Sequence, residues 1–172
     1  MGESNTPATA AIENSARFGV RPATLDDADA LARLSNQLGY PASREQVERR
    51  LGEILANPEH AIFVAEAGFA PEAGRESQGG AGLAGWVHAF AERTVESDPT
   101  VEIGGLVVDD ARRGAGVGRL LMDQAERWAR ETGCATITVR SNVIREHAHA
   151  FYERLGYAPV KTQRVFRKPI AQ

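Results

Sequence analysis

Leu106-Val107-Val108, followed by Arg112-Arg113-Gly114-Ala115-Gly116-Val117-Gly118-Arg119-Leu120-Leu121, decides how this chain of 172 residues is read. An apolar run comes first, a tight polar turn at 109–116 follows, and helical spacing of Val117, Leu120, Leu121, Ala125 and Trp128 begins at the last glycines. The pattern predicts strand, turn, helix. Glycines at 114, 116 and 118 let backbone N–H groups converge on one point without interference from Cβ atoms. A helix starting there adds about half a positive charge at its N-terminus. Together they make an anion pocket suited to phosphates, with Arg112, Arg113 and Arg119 as mobile positive charge around it.

The flanking sequence puts this turn inside one sheet. Residues 18–21 read as a strand closed by Pro22. Two helices follow, each opened by a capping-box spacing, Thr24 with Asp27 and Ser43 with Gln46. Strands are predicted at 61–67, 83–92 and 100–108, a helix at 117–131, a strand at 135–140 and a helix at about 146–155. A last strand pair is expected at 157–160 and 162–168. Gly104-Gly105 lies inside the 100–108 strand, where glycine often marks a bulge or a close backbone approach. The reading is an α/β (α+β) fold, one central sheet flanked by helices. Residues 1–17 read as a polar tail, although Met1-Gly2 with Thr6 fits the bare myristoylation pattern, and 18–172 as one domain. The stretch 68–82, rich in Gly, Pro, Ser and Glu, is expected to be a long hairpin loop.

Composition narrows the function. Twenty Lys and Arg against 23 Asp and Glu leave a formal charge of −3, so no general field favours nucleic acid and an anion site must be local. The longest apolar run is far too short to span a bilayer, so no membrane association is expected. A single cysteine, Cys134, forbids an internal disulfide, and the expected location is the cytoplasm. No histidine or carboxylate spacing reads as a metal site. His147 and His149, two apart on a helix, point their rings apart.

Spacing disfavours two other phosphate-binding classes, although a nucleotide-binding oxidoreductase module stays open as a further alternative. A P-loop ends in Gly-Lys-Ser/Thr, whereas this turn ends Gly118-Arg119-Leu120. A dinucleotide fingerprint wants glycine at 119 and an acidic residue at the end of the next strand, which here is Arg140. The 106–108 strand with the 113–118 loop instead resembles the acetyl-CoA motif of the GNAT superfamily of N-acetyltransferases. Phe151-Tyr152-Glu153-Arg154-Leu155-Gly156-Tyr157 resembles that family's second signature, and the element order fits it from residue 18 to residue 168.

The resemblance implies a GNAT-type mixed, mostly antiparallel sheet of about six to seven strands with about four helices, splayed between its central strands. It implies acetyl-CoA as cosubstrate and no metal. Pantetheine would pair with backbone at Leu106 and Val108, beside Val107. The pyrophosphate would sit on Arg113, Gly114, Ala115, Gly116, Val117 and Gly118, near Arg119, with Asn142 as a further coenzyme contact. Tyr152 matches the tyrosine that gives a proton to the departing thiolate, and Glu102 stands at the offset of a catalytic glutamate. His88, one strand away, is the alternative base. Strand parity does not fix the face of Glu102, because a bulge at 104–105 would change it. Tyr40, Trp86 and His88, with Gln37, are expected on the acceptor side, and Glu92, Glu96, Asp98 and Glu102 would favour a cationic amine, either a small molecule or a peptide. Sheets of this family often pair, so a homodimer is an expectation. The rival from another class is a non-catalytic acyl-CoA sensor on the same scaffold.

Overall fold

In the computed structural model, residues 18–68 and 82–170 are described. β1 (Phe18–Pro22), β2 (His60–Ala67), β3 (Leu83–Glu92), β4 (Thr100–Val108) and β5 (Thr136–Val139) pair in that order in one sheet. The first three pairings are antiparallel, and β4 with β5 is parallel. The expected loop at 68–82 and tail at 1–17 lie almost wholly outside the described residues.

Side-chain alternation gives the sheet two apolar faces. Ile62, Val64 and Val107, with Trp86 beside them, pack under α1 (Ala28–Gln37) and α2 (Arg44–Leu55), against Leu31, Leu34 and Leu51. A Cβ placed on Gly85 would stand 3.2 Å from Leu121 and from Val117 of α3 (Val117–Glu131), so Gly85, Val87 and Ala89 face that helix. Both capping boxes form. Ser43 Oγ accepts from the Gln46 amide at 3.3 Å, and the Ser43 amide donates to Gln46 Oε1 at 3.0 Å. At Thr24 the capping box closes on a short 3-10 turn (Leu25–Asp27) that leads into α1.

The unit ending at Arg140 is followed by a second unit beginning at Ser141. Its helix, α4 (Glu146–Arg154), ends before Gly156, whose φ of 92° no side-chain-bearing residue adopts easily. The expected strand pair at 157–160 and 162–168 does not form, so the described residues carry five strands rather than six or seven. The physical reason is visible in the residues. Val160, Val165 and Phe166 are exposed, Pro159 offers no N–H, and Lys161, Arg164, Arg167 and Lys168 crowd the segment with like charge. A two-stranded ribbon without a buried apolar face is marginal in water.

Asp27 is fully buried, and Arg21 meets it with two bonds of 2.7 and 2.8 Å while also reaching Glu66 at 3.2 Å. The Thr24 amide adds a bond of 2.9 Å. Burial pushes the Asp27 carboxyl up, but the Arg21 guanidinium and Thr24 more than offset this and hold it below the usual range. Replacing Arg21 by Met alone leaves a buried unpaired carboxylate, and urea unfolding at neutral pH should show a loss of about 3–5 kcal/mol. The double variant Arg21→Met with Asp27→Leu should recover most of it. Because the folded value is the lower one, this stability is present above the unfolded value, about 3.9, and is lost as pH falls through the folded value.

Candidate active site

The turn after β4 is bolted to α1. Arg33 contacts Asp109 Oδ2 at 2.6 Å and the Leu83 carbonyl at 3.2 Å, and the Asp110 amide donates to Gln37 Oε1 at 3.1 Å. Gln37, expected on the acceptor side, is tied to this turn through its Oε1. Beyond it, Gly114 and Gly116 adopt φ of 77° and 83°, the left-handed region that favours glycine. No side chain caps α3, and its first backbone bond runs from the Leu120 amide to the Gly116 carbonyl at 3.1 Å. The amides of Gly116, Val117, Gly118 and Arg119 are left without an acceptor among the described residues. Arg113 pairs with Asp110 at 2.6 Å, while Arg112 and Arg119 have no ion pair among those residues. Four free amides at the positive end of a 15-residue helix fit a pyrophosphate.

This loop adjoins an open strand edge. β5 pairs with β4 only from Thr100↔Thr136 to Ile103↔Val139, whereas β4 continues to Val108. Residues 105–108 are therefore paired to β3 on one side only. The Asp109 amide donates to the Ala84 carbonyl at 2.8 Å, so alternation turns the backbone groups of Val107 and Gly105 toward β3 and those of Leu106 and Val108 toward the open side.

The bulge falls where the glycines predicted it. His88 pairs with Gly105 and Ala89 with Ile103, which leaves Gly104 as the extra residue. A Cβ on Gly105 would meet Trp86 Cη2 at 2.8 Å, so the indole requires glycine there. The extra residue also settles the face of Glu102. It pairs with Phe90 and thus shares the side of His88 and Trp86, under α1 and α2. Glu102 is 6% exposed and lies 2.8 Å from Arg140, which also reaches Glu92 at 3.6 Å. The Arg140 contact is a charge contact only, since Glu102 Oε2 lacks a partner in hydrogen-bond geometry. Burial raises the Glu102 pKa, Arg140 lowers it and Glu92 raises it, with a net upward shift. Arg140 thus answers the two carboxylates nearest the sheet that were expected to draw a cationic acceptor.

His88 Nε2 lies 3.0 Å from His60 Nδ1, and the rings stack with Phe90 beside them. Burial, with the repulsion of His60, lowers the His88 pKa to about 4, so this ring is neutral near pH 7. A pocket of about 160 Å³ opens beside it, walled by Leu31, Leu51, Ile54, Ile62 and Trp86. Tyr40 is exposed beyond the end of α1 and lines no part of this pocket. His60, Arg140 and Arg50, which lines the pocket, were missed in the sequence. The one available signal was the 60–67 and 83–92 hairpin register, which sets His60 diagonal to His88.

In the second unit, the Tyr152 ring lies 5.2 Å from Phe151 and 5.9 Å from Tyr157. Burial raises its pKa, against a smaller lowering by Arg145, so the phenol is protonated at neutral pH. Asn142 is engaged in its own loop. Its Oδ1 accepts from the Ile144 amide at 3.1 Å, and its carbonyl accepts from the Arg145 amide at 2.9 Å.

A model of the acetyltransferase (GNAT) family matches residues 28–157. The chain belongs to this family. It is 32% identical over 151 residues to an aminoglycoside N(6')-acetyltransferase type 1 of Stenotrophomonas maltophilia, covering 88% of this chain and 93% of that protein. It is 26% identical over 153 residues to a protein of the same description from Serratia marcescens, covering 84% and 94%. A solved putative acetyltransferase from Agrobacterium tumefaciens str. C58 superposes with a TM-score of 0.70 at 23% identity, over 87% of this chain and 99% of that one. The aminoglycoside N-acetyltransferase AAC(6')-Iy in complex with CoA gives 0.73 at 20%, over 89% and 95%. At such identities the two structures establish the GNAT fold, and the family match makes this chain an acetyltransferase. Among the described residues no helix is long and apolar enough to cross a membrane.

The His88 environment has a measurable consequence. Between pH 6.5 and about 4 the unfolded chain binds a proton at this position that the folded GNAT domain refuses. Stability should therefore fall as pH is lowered across that window. Urea unfolding at pH 7 and pH 5 should show a smaller fall for His88→Gln than for the parent protein.

Proposed function

We propose that the chain is an acetyl-CoA-dependent N-acetyltransferase that modifies a primary amine of a small molecule by direct attack in a ternary complex. The observation that carries this reading is the meeting of two unsatisfied backbone surfaces, the 116–119 amides and the one-sided 105–108 edge of β4. One suits a diphosphate and the other suits an extended amide-bearing arm. Acetyl-CoA has both in that order and supplies an acetyl thioester at the arm's end. The GNAT match supports the coenzyme class, and the curated relatives, described as aminoglycoside N-acetyltransferases, support an amine acceptor. The family match spans residues 28–157, which include Asn142 and Tyr152.

The residues divide the work by charge and position. Gly116, Val117, Gly118 and Arg119 donate amides to the phosphates, with Gly114 and Ala115 shaping the loop and Arg112, Arg113 and Asn142 as further contacts. Leu106 and Val108 hold the arm. Trp86 and His88 form the acceptor wall, with Tyr40 at the surface above. Glu102, buried and on the acceptor face, accepts the proton that the amine loses as the C–N bond forms, directly or through water. Tyr152, placed by its sequence signature and held protonated, gives a proton to the sulfur as the C–S bond breaks.

Titration calorimetry with CoA tests the cradle. Gly116→Asp puts a carboxylate at the phosphates and should weaken CoA by about tenfold or more, a loss of about 1.4 kcal/mol at least. Gly116→Asn, which tolerates the same φ without charge, should bind far better than the Asp variant. Equal affinity of the Asp variant and the parent would refute the loop as the phosphate site. Glu102→Gln and Tyr152→Phe should each lower kcat by about a hundredfold or more with CoA affinity retained. The acid limb of the kcat–pH profile should lie above the ordinary carboxylate range, because burial raises Glu102 and activity appears as it deprotonates. Tight CoA binding with no turnover on any amine would make the protein a coenzyme sensor instead.

A further inference from the structure

The pocket beside His88 says what kind of amine enters, given the acetyltransferase reading on which this inference rests. Its volume of about 160 Å³ is close to that of an engineered apolar cavity, about 150 Å³, known to take a benzene ring. Leu31, Val47, Leu51, Ile54, Ile62 and Trp86 make its wall. Its polar lining among the described residues is confined to Ser35, Arg50 and His88, with no carboxylate. A polycationic amino sugar would bury ammonium groups against apolar carbon and one guanidinium, with nothing to pair them.

Arg50 stands apart from the other α2 arginines that form ion pairs. Arg44 pairs with Glu48 at 3.9 Å and Arg49 with Glu53 at 3.1 Å, but Arg50 has no carboxylate partner among the described residues. Its planar fork matches a carboxylate bidentately. His88 connects the pocket to the coenzyme edge. It lines the pocket, and its Nδ1 lies 3.1 Å from where a Cβ on Gly104 would stand, at the bulge that precedes 105–108.

We propose that the acceptor is an apolar amino acid: its aromatic or branched side chain fills the pocket against Trp86 and Ile54, its carboxylate meets Arg50, and its amine lies at His88 beside the bulge. The pocket size limits the side chain to about one ring. The neutral imidazole neither repels an ammonium group nor demands a polycation.

The test measures CoA release from acetyl-CoA with four acceptors, L-phenylalanine, L-leucine, phenethylamine and kanamycin, on protein whose CoA binding is measured by calorimetry on the same preparation. The amino acids should give the highest kcat/KM, and phenethylamine, which lacks the carboxylate, a value about tenfold lower or less. Arg50→Gln should bring L-phenylalanine down to the level of phenethylamine, mainly through KM, and Arg50→Lys should restore part of the difference. Ile54→Trp, which fills the pocket, should lower kcat/KM for L-phenylalanine more than for L-alanine, assayed alongside as a small-side-chain control. Kanamycin turned over faster than either amino acid, or equal losses for L-phenylalanine and phenethylamine in Arg50→Gln, would overturn the proposal while leaving the acetyltransferase reading intact. Absence of CoA binding would instead overturn that reading, and this proposal with it.

Discussion

β5 stops at Val139 while β4 continues to Val108, so after the bulged Gly104 four residues of an inner strand have a neighbour on one side only. A strand edge with free N–H and C=O groups is a liability unless something pairs with it. Here the edge runs straight into the glycine loop and the uncapped start of α3, where a second set of amides is left free. The two unsatisfied surfaces are consecutive in sequence, which is why one ligand can span both. The ties of Arg33 to Asp109 and of Gln37 to Asp110 hold the turn between them against α1.

The bulge at Gly104 shapes the chemistry of the other side of the sheet. One extra residue swaps the face of everything before it in β4 relative to everything after it. Glu102 is thereby brought to the face of Trp86 and His88, while Val101 and Ile103 go to the face of α3. Glycine at 105 admits the indole of Trp86, and that indole becomes a wall of the pocket beside His88. The same short stretch thus adjoins the open strand edge, directs a carboxylate and shapes the pocket. Charge is managed locally throughout. A chain of net charge −3 gathers amides and arginines at the loop, matches Glu102 and Glu92 with Arg140, and keeps His88 neutral by burial.

Much of this was readable in the residues themselves. The strands at 83–92 and 100–108 and the helix at 117–131 have the bounds that periodicity and glycine stops gave them. Both capping boxes and the bulge were legible because each depends on near neighbours in sequence. The face of Glu102 was not, since parity along a strand loses meaning across a bulge. The His60–His88 contact escaped notice because it depends on register between strands 28 residues apart. The strand pair expected at 157–160 and 162–168 does not form, because Pro159, the clustered cations and the exposed Val165 and Phe166 leave no buried face to hold it. Tyr40 and Gln37 were expected at the acceptor from the family resemblance; Tyr40 is exposed, and Gln37 Oε1 accepts from the Asp110 amide.

Amide hydrogen exchange with and without saturating CoA reads the open edge and the loop residue by residue. Slowed exchange at Leu106, Val108 and the 116–119 amides, with Val107 and Asp109 little changed because they already face β3, is the result expected of a ligand that completes the sheet. Protection confined to some other part of the molecule, with Leu106 and Val108 exchanging as fast as before, would contradict it.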